Sequence, residues 1–124
     1  MAPQVKKIQA AFYATPDSEP PTEPVRDWLL KLPKGEMTEI GQDIRVVELS
    51  WPNVKDVKPR LIDYLGDDVW EVRSKLENRI ARVLFAVEGT TMLLLHAFIK
   101  KQQTTPKHDK DLALNRLKKY RGLK

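Results

Sequence analysis

Val69–Pro106 reads VWEVRSKLENRIARVLFAVEGTTMLLLHAFIKKQQTTP, and the fold class follows from it. Trp70, Val72 and Leu76 share one parity of its first run, whereas Glu71, Arg73 and Lys75 share the other. Successive side chains on a strand point to opposite faces, so this alternation predicts a half-buried strand. Arg79–Val87 is dense in β-branched and apolar residues but carries Arg79 and Arg82; Thr90–Ile99 holds Leu93, Leu94 and Leu95 and runs on to Lys100 and Lys101. Glu88-Gly89 supplies a tight turn, because glycine accepts positive φ, and Glu77-Asn78 supplies a second corner. A three-stranded antiparallel meander is predicted, with its cations on strands and strand ends.

With 124 residues, the chain is predicted to be a single domain over residues 1–124 with its own core. Hydrophobic content of 41% and charged content of 31% are those of an ordinary globular protein. The absence of cysteine excludes disulfides and thiolate metal sites, and two histidines, His96 and His108, argue against a histidine-built metal centre. No metal and no cofactor are expected. No apolar run approaches the roughly 18 residues of a membrane span, and the N-terminus lacks a signal-type apolar segment, so a cytoplasmic protein is expected. Charge is divided. Thr15–Glu71 has 7 Lys/Arg against 13 Asp/Glu, and Val72 to the end has 13 against 4. A basic half on an acidic half fits nucleic-acid binding, and equally a solvated basic helix.

Outward from the meander, Val5–Tyr13 alternates loosely and predicts another strand. The proline-rich acidic stretch Thr15–Pro24 predicts a loop. Val25, Trp28, Leu29 and Leu32 have helical spacing, with Thr22 as N-cap and Pro24 in the first turn. After a break at Pro33-Lys34-Gly35, a second helix is predicted through Met37, Ile40, Ile44, Val47 and Trp51, with Glu36, Glu39, Asp43 and Glu48 on an acidic outer face. Pro52–Asp68 reads as irregular, with Gly66-Asp67-Asp68 as a turn into the sheet. Thr105-Pro106 predicts the cap and first position of a last helix with Ala113, Leu117 and Tyr120 inward. The fold class is α+β: a small antiparallel sheet of about four strands, an N-terminal helical hairpin and a C-terminal helix.

The chain has no Gly-rich phosphate loop, nucleophile elbow, HExxH or Cys-His pair. What remains is a set of strand cations: Arg73, Lys75, Arg79, Arg82, Lys100 and Lys101. Arg82 shares parity with Ile80 and Leu84, where an arginine needs an anionic partner to offset desolvation. One reading pairs it with Glu71 or Glu88 as a salt bridge. The other makes these cations a cradle for a phosphodiester. His96, within LLLHAF, reads either as a satisfied structural histidine or as a catalyst.

The chain also resembles a family. VWEVR, RIARVLF, LLHAFIKKQQTTP and the closing Ala113–Leu117 helix with Arg116 resemble, in order and spacing, the HigB-type, phage-derived branch of the RelE toxin superfamily. The upstream VRDWLLKLPKGE is similar to that family's first helix and its break. The resemblance implies a RelE-like fold and a toxin of a type II toxin–antitoxin system: a ribosome-dependent mRNA endoribonuclease, or mRNA interferase, that inhibits translation. Its metal-independent reaction is attack of a ribose 2′-OH on the adjacent phosphate, which restricts it to RNA. Arg82 matches the strand arginine used at the scissile phosphate, and Arg73 and Lys101 match basic positions on the strand before it and after the last strand. Lys75, Arg79, Lys100 and Lys107 are the implied RNA-binding residues. Where some relatives have a tyrosine or histidine base, this chain has Gln102-Gln103-Thr104-Thr105, which leaves His96 and Lys101 as candidates. The implied partners are the ribosome with its mRNA and a helix-turn-helix, HigA-like antitoxin. Two alternatives stand beside this reading: a non-catalytic, prophage-derived RNA- or protein-binding protein of the same fold, and a domain whose basic face only docks an acidic antitoxin segment.

Overall fold

The computed structural model describes residues 5–100 and 105–122. In chain order the elements are β1 (Gln9–Phe12), α1 (Pro24–Leu30), α2 (Lys34–Ser50), α3 (Val54–Val57), β2 (Ile62–Gly66), β3 (Val69–Lys75), β4 (Ile80–Glu88), β5 (Thr91–Lys100) and α4 (Lys107–Gly122). The strands form one sheet in the order β1-β5-β4-β3-β2. The α+β class stands, with two corrections to the sheet. It has five strands, because Ile62–Gly66, read as irregular, pairs antiparallel with β3; and it is mixed, because β1 runs parallel to β5.

Three two-residue turns build the β2–β5 meander. Asp67 and Asp68 both have positive φ between the paired Gly66 and Val69, as a type I′ turn requires. Gly89 (φ 63) lies between Glu88 and Thr91, so the loop is Gly89-Thr90, one residue later than the sequence suggests. The Leu76 amide donates to the Arg79 carbonyl around Glu77-Asn78.

The two faces of the sheet bury different elements. Val72, Ala81, Val83, Phe85, Met92 and Leu94 pack with Val25 of α1 and Ile40, Ile44 and Val47 of α2. Trp51 seals this layer by edge-to-face contacts with Trp70 (5.1 Å) and Phe85 (6.0 Å). On the other face Val69, Leu84, Ala86, Leu93 and Leu95 pack against Ala113 and Leu117 of α4. Burying both faces between helical layers keeps the meander's apolar runs out of water. Among the described residues, no helix is long and apolar enough to cross a membrane.

Two of the acidic residues expected on the outer face of α2 are buried. Glu48 accepts hydrogen bonds from the Ala10 amide (2.7 Å) and Lys6 (3.0 Å), tying β1 to α2, and Asp43 pairs with Lys58 at 2.7 Å. Both follow Ile40 at inward helical spacings. Glu48→Ala leaves the Ala10 amide without its carboxylate. A loss of about 1–3 kcal/mol in urea unfolding is expected; a change below about 0.5 kcal/mol would mean Glu48 is not what holds β1. The predicted caps also differ. Glu23 takes the N-cap position of α1, while the Thr22 and Thr105 hydroxyls bond elsewhere, to Thr15 and Glu71.

Candidate active site

Strand pairing sets Glu71, Arg73 and Lys75 of β3 opposite Leu84, Arg82 and Ile80 of β4. On the next strand, Phe98 and His96 of β5 lie opposite Arg82 and Leu84. The ladder then slips: Phe85 pairs with Leu94, leaving Leu95 as a bulge. A bulge puts two consecutive residues on one side, and here both Leu95 and His96 turn to α4. Arg116 of α4 donates from Nη1 to the bulged Leu95 carbonyl at 2.8 Å.

Arg82 is 1% exposed, and so is Glu71. Arg82 Nη1 donates to Glu71 Oε1 at 2.9 Å and lies 3.4 Å from Thr105 Oγ1. The Thr105 hydroxyl donates to the other carboxylate oxygen, Glu71 Oε2. Arg73 Nε approaches Glu71 Oε1 at 3.9 Å, and its Nη2 donates to the Arg60 carbonyl at 3.2 Å. One carboxylate thus sits between two arginines that are direct cross-strand neighbours, whose like charges would otherwise repel. The salt-bridge reading of Arg82 is what the structure contains, and it is a buried pair, not an exposed one. A phosphate arriving from solvent meets the partly exposed Arg73 first.

His96 is the second focus. Its Nε2 lies 2.7 Å from Asp109 Oδ1, and its ring stacks on Phe98 at 5.5 Å. Both side chains of the pair are mostly buried. Burial lowers the histidine pKa below its ordinary 6.5; Asp109 opposes this by hydrogen bond and charge, while Arg116 and His108 add to it. The imidazole is therefore neutral at pH 7. With the carboxylate as acceptor the proton of the neutral ring is on Nε2, which leaves the lone pair on Nδ1. An oriented imidazole backed by a carboxylate is the arrangement that general-base chemistry uses.

The remaining expected site residues are dispersed. Lys75 is exposed at the end of β3, on the same face as Arg73. Arg79 is held by Glu36 of α2, in the opposite helical layer. Lys107 is exposed at the start of α4 and paired with Asp111, which raises its pKa and lowers that of Asp111. Lys100 ends β5, opposite Ile80. Lys101 lies outside the described residues, as do Gln102, Gln103 and Thr104. Among the described residues, no cluster of three or more His, Cys, Asp or Glu could hold a metal ion.

Sequence reading missed Asp109 as the partner of His96, and took Thr105 for a helix cap. The signal for Asp109 was present: it lies at i, i+4, i+8 with Ala113 and Leu117, a carboxylate on the inward stripe of α4.

No curated protein matches the chain. A family model described as phage-derived protein Gp49-like (DUF891) matches residues 27–118, from within α1 to within α4 and including every strand of the meander. With the greater part of its length matched, the chain belongs to this phage-derived Gp49-like family, a RelE/toxin-like family.

Proposed function

We propose that the protein is a HigB-type toxin of a type II toxin–antitoxin system that cuts mRNA on the ribosome in the cytoplasm. In the proposed reaction His96 Nδ1 takes the proton of a ribose 2′-OH. The freed oxygen forms a bond to the adjacent phosphorus, the bond to the 5′-oxygen breaks, and that oxygen leaves with a proton taken from solvent water, while protonated His96 returns its proton to solvent. Arg73 and Lys75 meet the phosphate from solvent, and Arg82 stabilises its developing charge from beneath. Lys100, Lys101 and Lys107 supply further positive charge, and a helix-turn-helix, HigA-like antitoxin is the neutralising partner. The observation that carries this reading is the neutral His96, fixed by Asp109 beside a cationic strand face, in a chain of a RelE/toxin-like family.

The test is inducible expression in a bacterium with primer extension on a reporter mRNA, comparing wild type with His96→Gln. Codon-phased cuts and growth arrest are expected with wild type and neither with the variant. Cuts that persist in His96→Gln would remove His96 from the chemistry. A second reading has its own support. Arg82 is buried and neutralised by Glu71, which suits a protein that binds RNA or a partner through Arg73 and Lys75 without cleaving. RNA bound by folded wild type with no cuts and no arrest would favour it.

A further inference from the structure

A cleft of about 680 Å³ opens between the connector that follows β1 and the outer flank of α4, a volume within the range of ligand sites. Its connector wall is braced by its own hydroxyls. Thr15 Oγ1 bonds to Ser18 Oγ (2.5 Å) and Thr22 Oγ1 (2.9 Å), and the Thr15 and Thr22 main chains are also joined, at 2.8 Å. Its helix wall carries Arg116, Lys118 and Lys119. Among the described residues, the carboxylate lining it is that of Asp17, 3.6 Å from Lys119. Both partners of that pair are more than half exposed, so exchanging Asp17 for another anion costs little desolvation. Lys118 is exposed and has no ion-pair partner among the described residues.

The cleft and the His96 site share helix α4. Asp109 and Arg116 are seven residues apart and therefore lie on the same side of α4, one against His96 and the other lining the cleft. Arg116 is close enough that its charge lowers the His96 pKa, and its Nη1 is held by the Leu95 carbonyl, adjacent to His96 in the chain. A polyanion seated against Lys118 and Lys119 would thus lead past Arg116 to the imidazole. Cations backed by hydroxyls and nearly free of carboxylates suit a phosphodiester chain better than a peptide.

We propose that this cleft holds the backbone of single-stranded RNA flanking the bond to be cut, with Lys118 and Lys119 on successive phosphates and Arg116 guiding the strand to His96. The site rests on the RNA reading above, extends it to residues outside the strand cations, and gives Asp17 the role of occupying the cleft when RNA is absent.

Binding of a fully 2′-O-methylated, fluorescein-labelled oligoribonucleotide tests it, because that probe binds but lacks the attacking hydroxyl. Anisotropy titrations of the full chain at several salt concentrations would compare wild type, K118A/K119A and D17N, with K55A on α3 as control. Single-strand contacts contribute about 0.7 each to the slope of log affinity on log salt. K118A/K119A should therefore reduce the slope by about 1.4 and weaken binding about fivefold per lysine at 0.1 M salt. D17N should tighten binding, and K55A should leave it unchanged. Wild-type binding with an unaltered slope in K118A/K119A and no change in D17N would overturn the cleft as the RNA track while leaving the RNA reading in place. No wild-type binding at any salt would overturn the cleft as an RNA track, whereas the RNA reading falls only if folded wild type gives no codon-phased cuts and no growth arrest.

Discussion

Glu71→Ala is expected to destabilise the protein by about 3–5 kcal/mol, the cost of leaving a buried charge without its counter-ion. Arg82 is 1% exposed and has its 2.9 Å bond to Glu71, so removing the carboxylate leaves the guanidinium in the interior without that anion. Thr105 loses its acceptor in the same step, and with it one tie between the start of α4 and the sheet. Urea unfolding monitored by circular dichroism would measure the loss as a lowered midpoint at unchanged m-value. The double variant Glu71→Leu/Arg82→Met is expected to recover most of it, because replacing both partners by apolar groups of similar volume removes the desolvation cost along with the attraction. A Glu71→Ala protein within about 1 kcal/mol of wild type would show that the pair does not hold the fold. The result also governs how Arg82→Ala is read. That change takes the closest cation from the buried Glu71 and leaves it Arg73 at 3.9 Å and the Thr105 hydroxyl, so loss of toxicity locates a catalytic role only if the variant remains folded.

His96→Gln is expected to lower cleavage by roughly 10²–10⁴-fold, the usual contribution of a positioned general base. The amide retains a donor for Asp109 but offers no basic nitrogen, so kcat should fall with little change in KM or in stability. In wild type the active form is the neutral imidazole, whose pKa burial holds below 6.5. The rate should therefore be flat at neutral pH and decline as pH falls through a value below 6.5. Asp109→Asn removes the charge that opposes burial and weakens the hydrogen bond to a neutral one, which lowers the pKa further and moves the acid limb to lower pH. Histidine chemical shifts followed by NMR give the same titration independently of activity. Because the folded pKa lies below the unfolded one, the unfolded chain binds more protons. This contribution of His96 to stability is complete above pH 6.5 and is lost as pH falls towards the folded value. A rate profile unaltered by either variant would take the dyad out of the reaction.

Much of the fold was legible because its signals are local. The parity of Trp70, Val72 and Leu76, the i, i+3, i+4, i+7 set beginning at Val25 and the glycine at position 89 each bias the backbone through nearest neighbours alone. The resemblance in the meander and the last helix pointed to the superfamily that the Gp49-like match supports. The errors at the buried carboxylates share one cause. Asp43, Glu48 and Asp109 each occur at inward spacing on a helix, where composition says surface and periodicity says core. A carboxylate resolves that conflict according to whether a donor waits inside, and Lys58, the Ala10 amide and His96 come from distant parts of the chain.

What the chain determines by itself is the order of the elements other than α3 and β2, the three-stranded meander, the division of charge and the cations on β3 and β4, since all of these depend on residue type and spacing. Tertiary structure alone decides that β1 runs parallel to β5, that Ile62–Gly66 completes the sheet, and that Glu71 stands between Arg73 and Arg82. It also decides that a bulge at Leu95 turns His96 to Asp109. Each joins groups far apart in the chain, whose pairing depends on which polar atoms the packed layers leave without water.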